Sequence, residues 1–254
     1  MRHDMRHEMR HVRARHWIFA GVLSPVCAAL GCGGAEPPPR PPEARHEAPQ
    51  RAVPLVARTS SELGSVDPTA VKHAFGALDD RFMDCQKRAL DRVEVLAGTL
   101  KFFLRIGPDG RARWAYLEDS DLGDRDTEKC LIDVVLGATW PRPDGGDAEV
   151  RHSMELALQA ARPASDWSSD KVSGALSRSG EAIDKCKEGA RASVHATVYH
   201  ATVYVAPGGK VLSAGVATST REGGERADCL AKALVKMRGL PSPGSWPAKV
   251  TFAL

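Results

Sequence analysis

The chain repeats one order of turns, cysteines and prolines after about 100 residues, and this duplication constrains its fold more than any other feature. Four markers recur in the same order: Cys85 as Cys186, Pro108-Asp109-Gly110 as Pro207-Gly208-Gly209, Cys130 as Cys229, and Trp140-Pro141-Arg142-Pro143 as Leu240-Pro241-Ser242-Pro243. Recurrence of turn and packing residues at a fixed period is typical of a repeated structural unit. The sequence therefore predicts two tandem modules, over 66–160 and 168–254, joined by a short linker at 161–167.

Each module opens with the periodicity of an amphipathic helix. Asp67-Pro68 supplies an N-cap and a first-turn proline for the first of these helices. Core-facing positions then recur in alternating steps of four and three, which places them on one helical face. These positions are Val71, Phe75, Leu78, Phe82, Cys85 and Ala89 in the first module, and Val172, Leu176, Ser179, Ile183, Cys186 and Ala190 in the second.

A strand with period-two alternation follows, and a turn containing proline and glycine leads it into a second strand. The inward positions of the first strand are Leu100, Phe102, Leu104 and Ile106, matched by Tyr199, Ala201, Val203 and Val205. The remaining elements are second strands at 111–118 and 210–217, second helices at 124–138 and 223–238, and last strands at 148–158 and 248–254. The predicted fold class is α+β: two α-β-β-α-β modules, each a three-stranded antiparallel sheet with two helices on one face.

This order and its turn residues resemble the C-terminal domain of TonB. The resemblance rests on Gly98-Thr99-Leu100, Pro108-Asp109-Gly110-Arg111 and Trp140-Pro141 in the first module, whereas the second has Leu240 at the aromatic position. The paired cysteines are similar to those of the TonB-like C-terminal domain of the AgmX/PglI type, found in gliding-motility proteins. Turn and packing motifs support a fold better than a function.

The resemblance implies a mechanism of partner binding. Such domains leave the last strand at the sheet edge, where a partner adds an extended segment by backbone pairing. The expected partner-binding residues are Val150, His152 and Met154 in the first module and Val250, Phe252 and Leu254 in the second.

The N-terminus has the layout of a secretory signal. Residues 1–16 are rich in Arg and His, and Trp17 begins a short apolar run that ends in Ala29-Leu30-Gly31-Cys32. The run resembles a lipobox, which predicts a signal peptide at 1–31 and a lipid on Cys32; simple secretion and an uncleaved anchor are the alternatives. A disordered tether at 32–65 follows, in which seven prolines within 36–54 favour an extended spacer of roughly 60 Å at most.

The four cysteines of the modules allow three pairings. Because the module is duplicated, pairing within each copy is favoured, as Cys85–Cys130 and Cys186–Cys229. An exported chain lies where disulfides persist, and loops of this length stabilise a fold by roughly 4 kcal/mol in the chain-entropy model. Buried free thiols are the alternative. The sequence has no CxxC pair, which disfavours a zinc site.

No motif points to catalysis, a cofactor or a metal. Ser168-Ser169-Asp170-Lys171 has the Ser-x-x-Lys spacing of penicillin-recognising enzymes but lacks their partner motifs, and it coincides with a predicted helix start. The acidic cluster between Glu118 and Asp126 does not match a calcium-binding loop. The N-terminal segment accounts for the net charge of +3, since the balance from Cys32 onward is even, and nucleic-acid binding is not expected.

Charge differs between the modules: residues 71–160 contain 13 basic and 17 acidic side chains, and 171–254 contain 12 and 6. This asymmetry has three interpretations: drift on solvated faces, docking of the acidic first module on the basic second, or attraction of the second to an anionic envelope surface. Together these features predict a non-enzymatic scaffold without cofactors. We expect it to be lipid-anchored to a Gram-negative outer membrane, to face the periplasm and to bind envelope proteins. An enzyme or ligand carrier that uses the cleft between modules, or a purely structural lipoprotein, are the alternatives.

The lipid and disulfide assignments are tested by the intact mass of the protein extracted from its native membranes. We expect a chain that begins at Cys32, carries acyl groups and gains the mass of about four hydrogens on reduction. Replacing Cys32 with Ser serves as the matched control and should release an unlipidated chain. A native chain that retains residues 1–31 and has free thiols contradicts both assignments.

Overall fold

The structure, a computed structural model, describes residues 63–188 and 196–254, which belong to one compact unit. The predicted signal peptide, the lipid site at Cys32 and nearly all of the tether therefore lie outside the described residues. The helices are α1 (Pro68–Gly76), α2 (Asp79–Leu90), α3 (Arg125–Leu136), α4 (Asp170–Lys187), α5 (Arg221–Gly224) and α6 (Ala227–Val235). The strands are β1 (Gly98–Ile106), β2 (Ala112–Ser120), β3 (Ala148–Leu156), β4 (Ser165–Asp166), β5 (Tyr199–Val205), β6 (Val211–Thr218) and β7 (Ala248–Ala253).

The predicted α+β class is confirmed. The first module contains an antiparallel sheet of order β2-β1-β3, and in the second module β6, β5 and β7 follow the same antiparallel order. The second sheet differs from the prediction because it has a fourth strand. The linker contributes β4, which pairs in parallel with the start of β7.

The first predicted helix is divided in two. Asp67 accepts a hydrogen bond from the Thr69 N–H and Pro68 occupies the first turn, so α1 begins as expected. The helix ends at Gly76, a residue that disfavours continued helix, and α2 begins at Asp79. The apolar stripe continues through the break, because all six of its predicted positions are buried in one core with the inward positions of β1.

One disulfide joins the helices of each module, in the predicted pairing. Cys85 and Cys130 link α2 to α3 with a Cα–Cα distance of 5.8 Å, and Cys186 and Cys229 link α4 to α6 at 5.5 Å. The closed loops have sequence separations of 45 and 43 residues. Each bond therefore holds the two helices together over its own sheet.

The modules pack against each other through the face of the second sheet that lies opposite its helices. Tyr204 and Ala217 are fully buried, and both belong to the core of the first module rather than to that of the second. The start of α3 lies close to β6, because a Cβ added at Gly215 would overlap the Glu128 carboxylate. Neither face of β5 and β6 is therefore free over these residues, in contrast to a sheet with one solvated side.

Within the two described ranges, no helix is long and apolar enough to cross a membrane.

Candidate functional site: the edges of the two sheets

Strand β3 lies at the edge of its sheet, and half of its backbone hydrogen-bonding groups point away from that sheet. Successive residues of an antiparallel strand direct their N–H and C=O groups to opposite sides. The Thr99 C=O accepts from the Asp121 N–H beyond the end of β2, so the next residue, Leu100, faces β3. Leu100 lies opposite Met154 in the register. The outward groups of β3 therefore belong to the alternate residues Glu149, Arg151, Ser153 and Glu155.

This edge has no partner in the described part of the chain. All nine residues of β3 are in register with β1, and no other described segment pairs with the strand. The described backbone hydrogen bonds outside the regular elements also leave these residues unused. The first module thus presents a row of unpaired donors and acceptors along a nine-residue strand, which is what strand addition requires.

The residues predicted in the first module lie on the edge strand β3, with their side chains toward the core. Val150 is buried in the core, and Met154 is half-buried against it. His152 stacks on Phe75 of α1, with ring centroids 3.8 Å apart. Burial lowers the pKa of the His152 imidazole below its ordinary value. These three side chains position the edge strand on the helices, while their outward neighbours offer the backbone groups.

On the solvent-facing side of the same sheet, charged and aromatic side chains of all three strands contact one another. Glu118 on β2 accepts from Arg151 on β3 at 2.9 Å and pairs with Lys101 on β1 at 2.8 Å. Burial alone would raise the pKa of Glu118, but the hydrogen bonds from these two cations lower it. The Arg151 guanidinium also covers the Phe103 ring at 4.2 Å. Side chains from all three strands therefore hold β3 in place.

In the second module, the same edge is partly closed. The Ser165 N–H donates to the Pro247 C=O, and the Trp167 N–H donates to the Lys249 C=O, so β4 occupies the start of β7. The C=O of Tyr199 accepts from the Leu254 N–H, which places the backbone of Leu254 toward β5.

By the same alternation, Val250 and Phe252 also pair with β5. Only Thr251 and Ala253 keep outward backbone groups. The edge predicted at Val250, Phe252 and Leu254 is therefore much shorter than that of β3.

On the other edge of the second sheet, β6, one outward amide is bound by a side chain of the first module. The Val216 N–H points away from β5 and donates to the Glu128 carboxylate at 3.1 Å. The Ser120 hydroxyl donates to the other carboxylate oxygen at 3.1 Å, and Arg125 lies 3.5 Å away. Glu128 is fully buried. Burial raises the pKa of its carboxyl above the ordinary value, against the opposing effects of Arg125 and the two donors.

Further polar contacts cross between the modules. The Tyr204 hydroxyl donates to the Ala97 C=O at 3.0 Å, and the Lys249 ammonium donates to the same oxygen and to Asp121. In the opposite sense of charge, Arg125 and Lys129 of the first module both pair with Asp228 of the second, at 2.7 and 3.0 Å. The ion pairs thus run in both directions, so the difference in net charge does not describe this boundary.

Residues of the acidic cluster and of the Ser-x-x-Lys segment lie at helix starts. Asp124, in the predicted acidic cluster, caps α3 by accepting from the Thr127 N–H, and Ser169 and Asp170 stand at the start of α4. Within the described ranges, no group of three His, Cys, Asp or Glu side chains is placed to hold a metal ion. The modules do border open grooves, one of about 560 Å³ between α3 and α6 and one of about 360 Å³ beside Trp114 and Tyr116.

Replacing Glu128 with Ala leaves the Val216 N–H and the Ser120 hydroxyl without their acceptor, and we expect a loss of about 3 kcal/mol in the free energy of unfolding. Glu128→Gln is the matched control, since it keeps the shape and one acceptor oxygen.

Because the folded-state pKa of Glu128 is raised, stability that depends on its protonation is present below the unfolded-state pKa and is lost as pH rises through the folded-state pKa. The wild type should therefore lose stability relative to Glu128→Gln as pH rises. Urea unfolding across this pH range measures both effects; a pH-independent difference contradicts the assignment.

Comparison with known proteins gives no family for this chain. No protein-family model, no curated protein and no solved structure matches it. The resemblance to TonB C-terminal domains therefore stays a prediction from the sequence motifs.

Proposed function

We propose that this protein is a non-enzymatic scaffold of the bacterial envelope that binds extended segments of partner proteins by adding a strand to β3. The observation that carries the proposal is the nine-residue edge of β3, in continuous register with β1 and without a partner among the described residues. Main-chain hydrogen bonds supply affinity in this mode, and the side chains that flank the added strand supply selectivity.

The surroundings of β3 suit it to receive a strand. An edge that is to stay open needs a rigid sheet behind it, because ordering a mobile strand would cost free energy on binding. The backbone of β3 is paired along its whole length, His152 is stacked on α1, and Arg151 is tied to Glu118. The disulfide between α2 and α3 further restrains the layer beneath the sheet.

The side chains of β3 also limit which strands can add. Glu149, Arg151 and Glu155 place alternating charges on the solvent face, and inward charge is absent from this strand. Charged edge residues disfavour pairing with a second copy of the same sequence unless the charges complement each other. The partner strand that fits best has apolar residues facing α1 beside His152 and Met154, with polar or oppositely charged residues on the other face.

The second module contributes less edge and more support. Only Thr251 and Ala253 keep outward groups on β7, and the Glu128 carboxylate closes part of β6. In this proposal the second module packs against the first and stabilises it, and the open segment of β7 at Thr251 and Ala253 is a secondary binding site.

The place of action rests on the sequence. A signal-like segment, a lipobox-like Cys32 and a proline-rich tether support a lipid anchor with the modules held in the periplasm, on the outer membrane of a Gram-negative bacterium. The two disulfides fit an oxidising compartment of this kind. The resemblance to TonB C-terminal domains supports strand addition. The proline-rich part of the tether, 36–54, extends over roughly 60 Å at most, which favours an adaptor role over energy transduction across the periplasm.

The proposal is tested by proline at position 153. Ser153 is exposed and its N–H points outward, so Ser153→Pro removes one edge donor without breaking a hydrogen bond to β1. We expect immobilised Ser153→Pro protein to lose capture of envelope proteins from a membrane extract while its melting temperature stays within a few degrees of wild type.

Ser153→Ala is the matched control, because it changes the side chain and keeps the backbone N–H; it should capture as the wild type does. Equal capture by Ser153→Pro would exclude strand addition at β3. That result would favour the enzyme, carrier or purely structural alternatives.

A further inference from the structure

We propose that the groove between the helices of the two modules binds an acidic peptide segment that also carries apolar side chains. This site is independent of the β3 edge, since it is lined by residues of α2, α3, α6 and the start of β6. It would give the protein a second way of holding a partner.

The groove is continuous across the boundary between the modules. One depression of about 630 Å³ lies between α2 and α3, and a second of about 560 Å³ lies between α3 and α6. Arg92, Asp126 and Lys129 line both, so the two depressions meet at these residues. A groove of this size accommodates several side chains of a bound segment.

Its electrostatic character is basic. Seven basic and four acidic side chains line the two depressions together. The acidic groups are largely engaged within the protein: Asp124 caps α3 and binds Arg92, Asp126 pairs with Arg92, and Asp228 is held by Arg125 and Lys129. These ion pairs use three of the cations, so the remaining four give the groove its positive charge.

The cations that remain lie at both ends of the groove. Arg81 and Arg88 lie on α2 in the first module, and in the second Lys232 lies on α6 with Lys236 four residues later at its C-cap. All four are exposed, and none forms an ion pair with another described residue. Arg88 instead donates to the sulfurs of the Cys85–Cys130 disulfide. An extended anion that spans both modules would meet positive charge at each end.

The floor of the groove is apolar, which decides the chemistry of the ligand. Leu212, Ala214 and Ala231 line the part between α3 and α6, and Val235 is exposed beside them. An isolated phosphate or a lipid headgroup would use the basic rim and leave this floor in water. A peptide with carboxylates and apolar side chains matches both features, because it covers the floor while its carboxylates reach the rim.

The proposal is tested by the fluorescence anisotropy of a labelled peptide built of Glu and Leu, titrated with the full chain containing both modules. We expect binding that weakens with added salt, and a loss of about tenfold or more in affinity at low salt for the double variant Lys232→Glu and Lys236→Glu. The matched double variant Lys232→Arg and Lys236→Arg keeps both charges and should bind as the wild type does.

Two control peptides and one control protein separate the alternatives. A peptide with Ser in place of Leu should bind more weakly, and one with Lys in place of Glu should not bind. The Ser153→Pro protein should bind the Glu/Leu peptide unchanged, so failure of this site and failure of the β3 proposal are distinguishable. Equal affinity for the Ser peptide, insensitivity to the glutamate variants, or loss of binding in Ser153→Pro each overturns the proposal. So does binding only to vesicles containing phosphatidylglycerol, which would identify a membrane surface instead.

Discussion

A strand at the edge of a sheet carries backbone donors and acceptors that must be paired, covered or left for another chain. This constraint explains how two similar modules come to differ. The β6 edge is closed where the buried Glu128 carboxylate accepts the Val216 N–H, and the start of β7 is covered by β4 from the linker. Along β3 no described residue performs either task. The edge of β3 therefore leaves pairing capacity unused over nine residues, and the proposed function rests on it.

Many of the helices, strands and disulfides could be predicted from the sequence, because the same order of motifs occurs in both modules. The helical stripe from Val71 to Ala89, the inward phase of β1 and β5, and both disulfides follow from periodicity and duplication, and the structure contains each of them. The break between α1 and α2 was not predicted, since a stripe that stays buried on both sides of Gly76 has the same periodicity as one helix.

The boundary between the modules could not be predicted in the same way. Thr202 and Tyr204 alternate with the inward residues of β5 and so predict a solvated face, yet both are buried against the first module. Glu128 looks like an ordinary charged helix residue in the sequence, because nothing local shows that α3 begins against another sheet. The partner-binding prediction named Val150, His152 and Met154 because they belong to the last strand of the module, which the resemblance places at the sheet edge. Side chain and backbone alternate with the same period, so the outward groups belong to Glu149, Arg151, Ser153 and Glu155.

Amide hydrogen exchange of the isolated protein, resolved residue by residue, distinguishes the open edge of β3 from the Val216 amide of β6, which is bound by Glu128. We expect fast exchange of the outward β3 amides, those of Arg151, Ser153 and Glu155. The alternate amides of Val150, His152 and Met154 should exchange slowly, because they donate to β1. The Val216 amide should also exchange slowly, since it donates to Glu128 although it lies on an edge strand. Equal protection of all six β3 amides, or fast exchange at Val216, would contradict the assignment of β3 as an open edge.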